Sequence, residues 1–486
     1  MAGAVLRAGV RPRVPRSLTR ATGAAFASAG VLAVLGGVAW LVAAAAQRPS
    51  TLSPPSIRTP DPPLIGAPAT WLLGPLRGLL PGLTTGVGRL HSDMVVALVV
   101  AGVGWALAWA AAPALRAGVL LGASALAQTV LILGPPLSLT DVFNYELYGR
   151  MAALHGLNPY RALPVAAAND PAYTLANWHH LSSPYGPLFT LLSQALVAFG
   201  FHGWLWAWKL IVLGCGVATV ALVGALAARL GVSSRRAIAG FGLSPLLLIA
   251  EVGGLHNDVP AVLCLVAAAW CLVRGRDDAA PRWVDPAAGA LAVAAAGIKP
   301  SFAIVVGMVV LGARHRPRAI AGAAVAAAAT GLVVLAAYGG ALPNLKTQGT
   351  LVTPLSVPNL LGLAAGNGGA DATVRSVARM AILAIAAAGT AAVAWRRAWA
   401  LTAIGVVLFA AVITLPWVMP WYLVWALPFI AVGKPRLLVP LALAATVWLS
   451  VGGLPQLPGI LHHFGYFPTR LPTGLANHNE FVRLVQ

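Results

Sequence analysis

The sequence predicts an all-α, polytopic membrane protein with about thirteen transmembrane helices and further helices in external, juxtamembrane loops. Three observations predict it. Hydrophobic residues fill 59% of the 486 positions and charged residues 9%, against roughly half and a quarter in soluble domains. The Ala/Val/Leu/Gly runs are continuous rather than alternating, and most are about as long as a helix needs to cross a hydrocarbon core of roughly 30 Å. Basic residues concentrate in the short segments between runs, as cytoplasmic loops require.

Residues 1–20 form a basic tail with Arg7, Arg11, Arg13, Arg16 and Arg20. The apolar stretch that starts at Ala21 is too long for a signal-peptide core, so it reads as an uncleaved first span with the tail in the cytoplasm. Further spans fall at 94–112, 117–137, 204–229, 237–251, 259–273, 284–298, 301–313, 319–338, 374–394, 398–416, 421–433 and 437–453, some short enough to be broken or re-entrant. This partition places 19 of the 32 basic residues in the tail and in short cytoplasmic loops, including Arg116, Arg235, Arg236, Arg276, Arg314, Arg397, Lys434 and Arg436. Nine of the twelve acidic residues fall outside. The transmembrane domain is thus 21–453, with external loops at 47–93, 138–203 and 339–373 and an external C-terminal tail, 454–486. The apolar segment 186–200 would invert Arg235 and Arg236 if it spanned, so it reads as an amphipathic helix at the outer surface.

The net charge of +20 comes from dispersed arginines without a basic domain or aromatic RNA-binding motif, so it reports topology and no nucleic-acid partner is expected. Cys215, Cys264 and Cys271 lie inside apolar runs and read as small core hydrophobes.

The loop 138–203 is the densest in polar and aromatic groups. Its segment SLTDVFNYELYGRMAALHG, 138–156, has a helix start at one end and a glycine stop at the other. On that helix Asp141, Asn144, Tyr145 and Tyr148 share a face, and Glu146 and Arg150 form an i,i+4 pair on another. A carboxylate between tyrosines and an amide, just outside the membrane, suits deprotonation of a sugar hydroxyl; equally, Ser138-x-x-Asp141 matches a capping box. Tyr160 in LNPY, His180 in NWHH and Tyr185 in SSPYGPLF offer flat faces and polar edges suited to sugars, or else belong to an interfacial aromatic belt. His256, Asn257 and Asp258, in GGLHNDVP near Glu251, open a span with polar groups that either cap it or line a wet cavity. Lys299, in GIKPSF, is flanked by apolar spans; it either meets a lipid phosphate or snorkels to the interface. No histidine spacing suggests a metal, and no glycine-rich phosphate loop suggests a nucleotide, so no cofactor is expected.

The ordered series TDVFNYELYGRMAALHGLNPY, SSPYGPLF, GGLHNDVP, GIKP and PWVMPWYLVWALP resembles the actinobacterial polyprenol-phosphomannose-dependent α-1,6-mannosyltransferases, of the C-type membrane glycosyltransferase superfamily, over about residues 90–450. The resemblance implies a C-type glycosyltransferase-like fold in the cell membrane with its active site on the extracytoplasmic side. It implies a polyprenyl-phosphate sugar donor, a glycolipid or lipoglycan acceptor, and contact with membrane lipid. It implies Asp141 as the base. Where the superfamily often has a second acid, this chain offers Asn144 and Glu146. It adds Trp421 to the substrate-binding set. Inversion at a phosphomannose needs a base for the acceptor but no acid for the phosphate, unlike glycoside hydrolysis. Lys299, with Arg150 or Lys209, would neutralise the departing phosphate. A secondary transporter would show midplane charges and inverted repeats, which this sequence does not display convincingly. A noncatalytic scaffold would leave the Asp141 face without a role.

Overall fold

A computed structural model of the chain describes residues 16–47, 70–80, 87–137, 140–433, 437–454 and 456–485. The side chains of the five tail arginines, of Ser138 and of Lys434 and Arg436 lie outside this set, as do residues 48–69 and 81–86 of the segment expected to be the first external loop.

Among the described residues every regular element is helical, without strands. In chain order the helices are α1 (Arg16–Ala45), α2 (Val87–Ala110), α3 (Ala117–Leu133), α4 (Asp141–Leu154), α5 (Pro187–Leu196), α6 (Gly200–Arg229), α7 (Ser234–Gly242), α8 (Asp258–Arg274), α9 (Val284–Ile298) and α10 (Ala303–Gly312). They continue with α11 (Arg316–Tyr338), α12 (Leu345–Gln348), α13 (Val357–Ala364), α14 (Ala372–Trp395), α15 (Ala400–Thr414), α16 (Leu427–Val432), α17 (Leu438–Gly452), α18 (Leu457–His463) and α19 (Pro472–Val485).

Among the described residues six helical stretches are long and apolar enough to cross a membrane: Ala21–Ala45, Gly88–Ala110, Pro187–Arg229, Arg316–Tyr338, Ala372–Trp395 and Arg397–Thr414. Shorter apolar stretches, such as Val284–Ile298 and Pro300–Gly312, accompany them. Such a chain is a polytopic membrane protein, because surfaces like those of α11 and α14, largely uncovered by other helices, require lipid as solvent.

Two expected spans are broken. The run 237–251 divides into α7 and a π-helical turn, Leu246–Val252, because Pro245 follows Leu243 and Ser244 and cannot continue the α-helical ladder. The run 421–433 divides into a tight turn, Pro420–Trp425, and α16, whose second residue is Pro428. Conversely, α2 starts at Val87 rather than 94, since Arg89 and Asp93 pair across one turn at 3.5 Å and let the polar end stay helical.

Close helix approach depends on missing side chains. A Cβ on Gly289 would sit 2.0 Å from the Ala319 carbonyl oxygen, and one on Gly322 would sit 2.0 Å from that of Pro286, so α9 and α11 touch backbone to backbone. An aromatic cluster then locks α4 and α5 onto α6. The rings of Tyr145 and Phe189 meet edge to face at 4.9 Å and those of Phe189 and Trp208 at 5.2 Å. The indoles of Trp204 and Trp208 each find a carbonyl: Trp204 Nε1 donates to Ser193 at 2.9 Å and Trp208 Nε1 to Leu255 at 2.8 Å.

Candidate active site

Asp141 is the first residue of α4, with Thr140 at the N-cap. Its carboxylate accepts from the Tyr185 hydroxyl at 3.4 Å, and its other oxygen lies 3.5 Å from His256 Nδ1. About 15% of the side chain reaches solvent. Burial by the surrounding protein nevertheless pushes its pKa up to about 6, against the opposing pull of Lys299 and of hydrogen bonds from Trp178 and Tyr185. An acid so placed is ionised at neutral pH and still basic enough to take a proton.

The GGLHND turn delivers the next group. Leu255 has φ +58°, a left-handed conformation uncommon for a branched residue, and the turn swings His256, Asn257 and Asp258 inward so that all three are fully buried. The His256 ring stacks on Trp421 at 3.5 Å between centroids, with no hydrogen-bond partner for either nitrogen among the described residues. Asn257 exchanges bonds with the Tyr145 hydroxyl, its backbone N–H donating at 3.3 Å and its side-chain oxygen accepting at 3.4 Å. Glu251 accepts from the Val259 amide at 2.9 Å, which makes it the cap of α8.

Lys299 ends α9, and its Nζ lies 2.7 and 2.8 Å from the two oxygens of Asp258. Trp425 Nε1 donates to the same carboxylate at 2.5 Å, and the lysine also sits over the Tyr422 and Trp425 rings at 4.8 and 5.5 Å. The isolated lysine expected from GIKPSF is therefore an ion-paired one: a cation among apolar spans is costly, and Asp258, four residues after Gly254 in sequence, folds back to meet it. Lys299 and Tyr185 adjoin because the Gly186 amide donates to the Ile298 carbonyl at 3.1 Å. Together Lys299, Tyr185, Tyr422, Trp425, Trp417 and Gln348 line a cleft of about 200 Å³.

The other expected site residues divide. Asn144 holds the 177–178 backbone, accepting from both amides at 3.1 Å, and donates to Asn177 Oδ1 at 2.7 Å. Tyr148 donates to the Leu181 carbonyl at 2.6 Å. The Tyr160 hydroxyl lies within hydrogen-bond distance of the Tyr185 carbonyl and of the Thr190 hydroxyl, at 3.0 and 2.9 Å. His180 binds the Leu484 carbonyl through its backbone amide. These residues shape the loop around Tyr185 rather than the cleft itself.

Arg150 pairs with Asp170, Nε donating to both oxygens at 2.8 and 3.0 Å, while Glu146, its expected partner, stands 4.0 Å away. The short charge-assisted contact from Nε, shared between the two Asp170 oxygens, outcompetes the longer helical i,i+4 contact. His155 completes this group at 2.7 Å from Asp170. Burial pushes the Glu146 carboxyl up to about 9, with Arg150 opposing, so Glu146 is protonated at neutral pH. Lys209 is fully buried and donates to the Gly134 carbonyl at 2.6 Å. Neither Arg150 nor Lys209 lines the cleft that Lys299 lines. Gln348 and Asp170 escape a reading of the sequence, since no periodicity or motif links them to the site, whereas Trp417 stands in the PWVMPWYLVWALP motif four residues before Trp421.

The fold and the site define a polytopic helical membrane protein with a buried acid–base cluster beside an aromatic cleft. The chain is similar, over residues 129–315, to the family described as alpha-(1->6)-mannopyranosyltransferase, N-terminal domain. It is 29% identical to alpha-(1->6)-mannopyranosyltransferase A of Mycobacterium tuberculosis over 67% of each chain. To a probable alpha-(1->6)-mannopyranosyltransferase of Mycolicibacterium smegmatis it is 27% identical, the match covering 61% of this chain and 62% of the relative. To alpha-(1->6)-mannopyranosyltransferase B of Corynebacterium glutamicum it is 26% identical over 65% of this chain and 59% of that one. The chain thus spans about three fifths of the length of the Mycolicibacterium smegmatis and Corynebacterium glutamicum relatives. No solved structure matches. The resemblance carried by the motifs therefore holds, and the relatives are glycosyltransferase enzymes by name. The family match contains Asp141, His256, Asp258 and Lys299, whereas Trp421 lies beyond it.

Proposed function

We propose that the chain is an inverting mannosyltransferase that moves a mannosyl residue from a polyprenyl-phosphate donor to a cell-envelope glycolipid or lipoglycan acceptor. One observation carries this reading: Asp141, a carboxylate with a raised pKa, touches Tyr185, which lines the same aromatic cleft as the buried cation Lys299. In this scheme the acceptor hydroxyl gives its proton to Asp141 as its oxygen bonds the anomeric carbon. The bond from that carbon to the phosphate oxygen breaks on the opposite face, and its electron pair leaves with the lipid phosphate. Lys299, already shared with Asp258, faces the negative charge that develops there. The aromatic walls offer stacking for the sugar and apolar area for the lipid.

The reading includes a topology: residues 1–20 in the cytoplasm, about thirteen spans within 21–453, and the loop 138–203 and residues 454–486 outside, with the site facing the extracytoplasmic side of the cell membrane. Asp141→Asn tests the chemistry, because an amide keeps the shape and accepts no proton. With polyprenyl phosphomannose as donor, transfer by the purified variant should fall about 10²–10⁴-fold while its thermal unfolding stays close to that of the parent. Undiminished transfer removes Asp141 from the base role.

A further inference from the structure

At the end of the bundle opposite the cleft, three turns converge: 275–283 between α8 and α9, 313–315 between α10 and α11, and 396–399 between α14 and α15. Lys299 and these turns stand at the two ends of α9, about 22 Å apart at 1.5 Å per residue. The turns enclose a pocket of about 240 Å³ lined by Arg276, Asp278, Gly312, Arg314 and Arg397.

Charge does not balance there. Asp277 is taken by Arg229 at 3.0 Å and Arg274 at 2.8 Å, Asp278 by Arg314 at 2.8 Å, and Asp285 by His315 at 2.9 Å. Among the described residues Arg397 reaches only a backbone oxygen, that of Arg314, at 3.2 Å. Arg276 has no carboxylate within ion-pairing distance among the described residues. Burial, and then the like charge of Arg397, hold the Arg276 guanidinium below its ordinary pKa. Two guanidinium groups thus face one concavity with their charge uncompensated. Their planar forks match a phosphate, which accepts two parallel hydrogen bonds.

The surroundings identify the source of that phosphate. Trp395, Trp399 and Trp283 are exposed by 77%, 43% and 55% beside these turns, and the Arg396 guanidinium lies over the first two rings at 5.5 and 5.4 Å. Exposed tryptophans among arginines at helix ends mark the level where hydrocarbon gives way to headgroups. The positive-inside rule accounts for arginines at these turns but not for their convergence on a pocket.

We infer that this pocket binds a phosphate group, that of an anionic phospholipid, between Arg276 and Arg397. Inorganic phosphate is the same chemistry supplied from solution. The full chain in detergent, titrated with phosphatidylglycerol and read by native mass spectrometry, tests the inference, with phosphatidylcholine and inorganic phosphate as separate arms. Phosphatidylglycerol should bind more tightly than phosphatidylcholine. Arg276→Gln should weaken it by at least about tenfold, the loss of one charge-assisted contact. Arg276→Lys keeps the charge without the fork, so it should fall between and guards against a folding defect in the first variant. Arg282→Gln, in the same turn but outside the pocket lining, should change nothing. Displacement of the lipid by millimolar phosphate would make solution phosphate a second ligand of the same site; no displacement restricts it to the lipid. Equal phosphatidylglycerol affinity in Arg276→Gln and the parent, or equal losses in Arg276→Gln and Arg282→Gln, would overturn the inference.

Discussion

Asp141 and Lys299 do different chemistry although both are visible in the sequence as charges near apolar runs. The carboxyl titrates near 6 because the protein around it penalises the ionised form more than Lys299 and its hydrogen bonds favour it. A base must be deprotonated to act, so transfer should rise from pH 5 to pH 7 with an apparent pKa near that value. A rate profile flat across this range would detach Asp141 from the proton transfer. Lys299 is half of a buried pair, and Asp258 is fully buried. Removing one partner of such a pair costs about 3–5 kcal/mol, so Lys299→Met should lower the unfolding temperature markedly. The double variant Lys299→Met with Asp258→Asn should recover much of that stability and none of the transfer. Parent-like unfolding of Lys299→Met would show that Asp258 does not depend on the lysine.

Elements bring these two residues together through one backbone contact. The Gly186 amide, just before α5, bonds the Ile298 carbonyl at the end of α9, which sets Tyr185 beside Lys299. A Cβ at Gly186 would lie 2.1 Å from the Gly297 carbonyl oxygen, a contact that only backbone movement relieves. Gly186→Ala should therefore push α5 from α9, cost about 1–3 kcal/mol as overpacking does, and lower transfer more than stability. Wild-type turnover in that variant would show that the spacing of Tyr185 and Lys299 is unimportant. The turn before α5 is legible from Pro184 and Pro187, which flank Tyr185 and Gly186, but its partner on α9 is more than a hundred residues away. The C-terminal segment 454–486 likewise reads as a tail, whereas α19 packs Phe481 against Trp178 and Trp417 at 5.7 and 5.9 Å. Its face is only weakly apolar by sequence, and its docking depends on aromatic groups supplied by two other segments.

For the whole molecule, the division of charge is the feature that organises function. Carboxylates paired with one lysine gather at the cleft end of α8 and α9, and arginines in excess gather at the other end. On the proposed topology, which puts the arginine end in the cytoplasm, the N-terminus and Gln486 are expected on opposite sides of the membrane. Single cysteines placed at those two positions should react with an impermeant thiol reagent from opposite sides in oriented vesicles. Labelling from one side only would overturn the topology and with it the external placement of Asp141.

Sequence alone determined the all-helical, membrane-embedded class, because composition and run length leave a lipid-solvated chain no other way to satisfy its backbone. It also singled out Asp141, His256, Asp258 and Lys299, since ionisable groups among apolar spans are too costly to be incidental. Tertiary structure decided how they are used. It paired Lys299 with Asp258, sent Arg150 to Asp170 and Lys209 to a carbonyl, brought Trp417 and Gln348 to the cleft, and packed α19 against Trp417. Those outcomes rest on contacts between segments far apart in the chain, and local periodicity, which reports one face of one helix, contains no information about which distant group that face will meet.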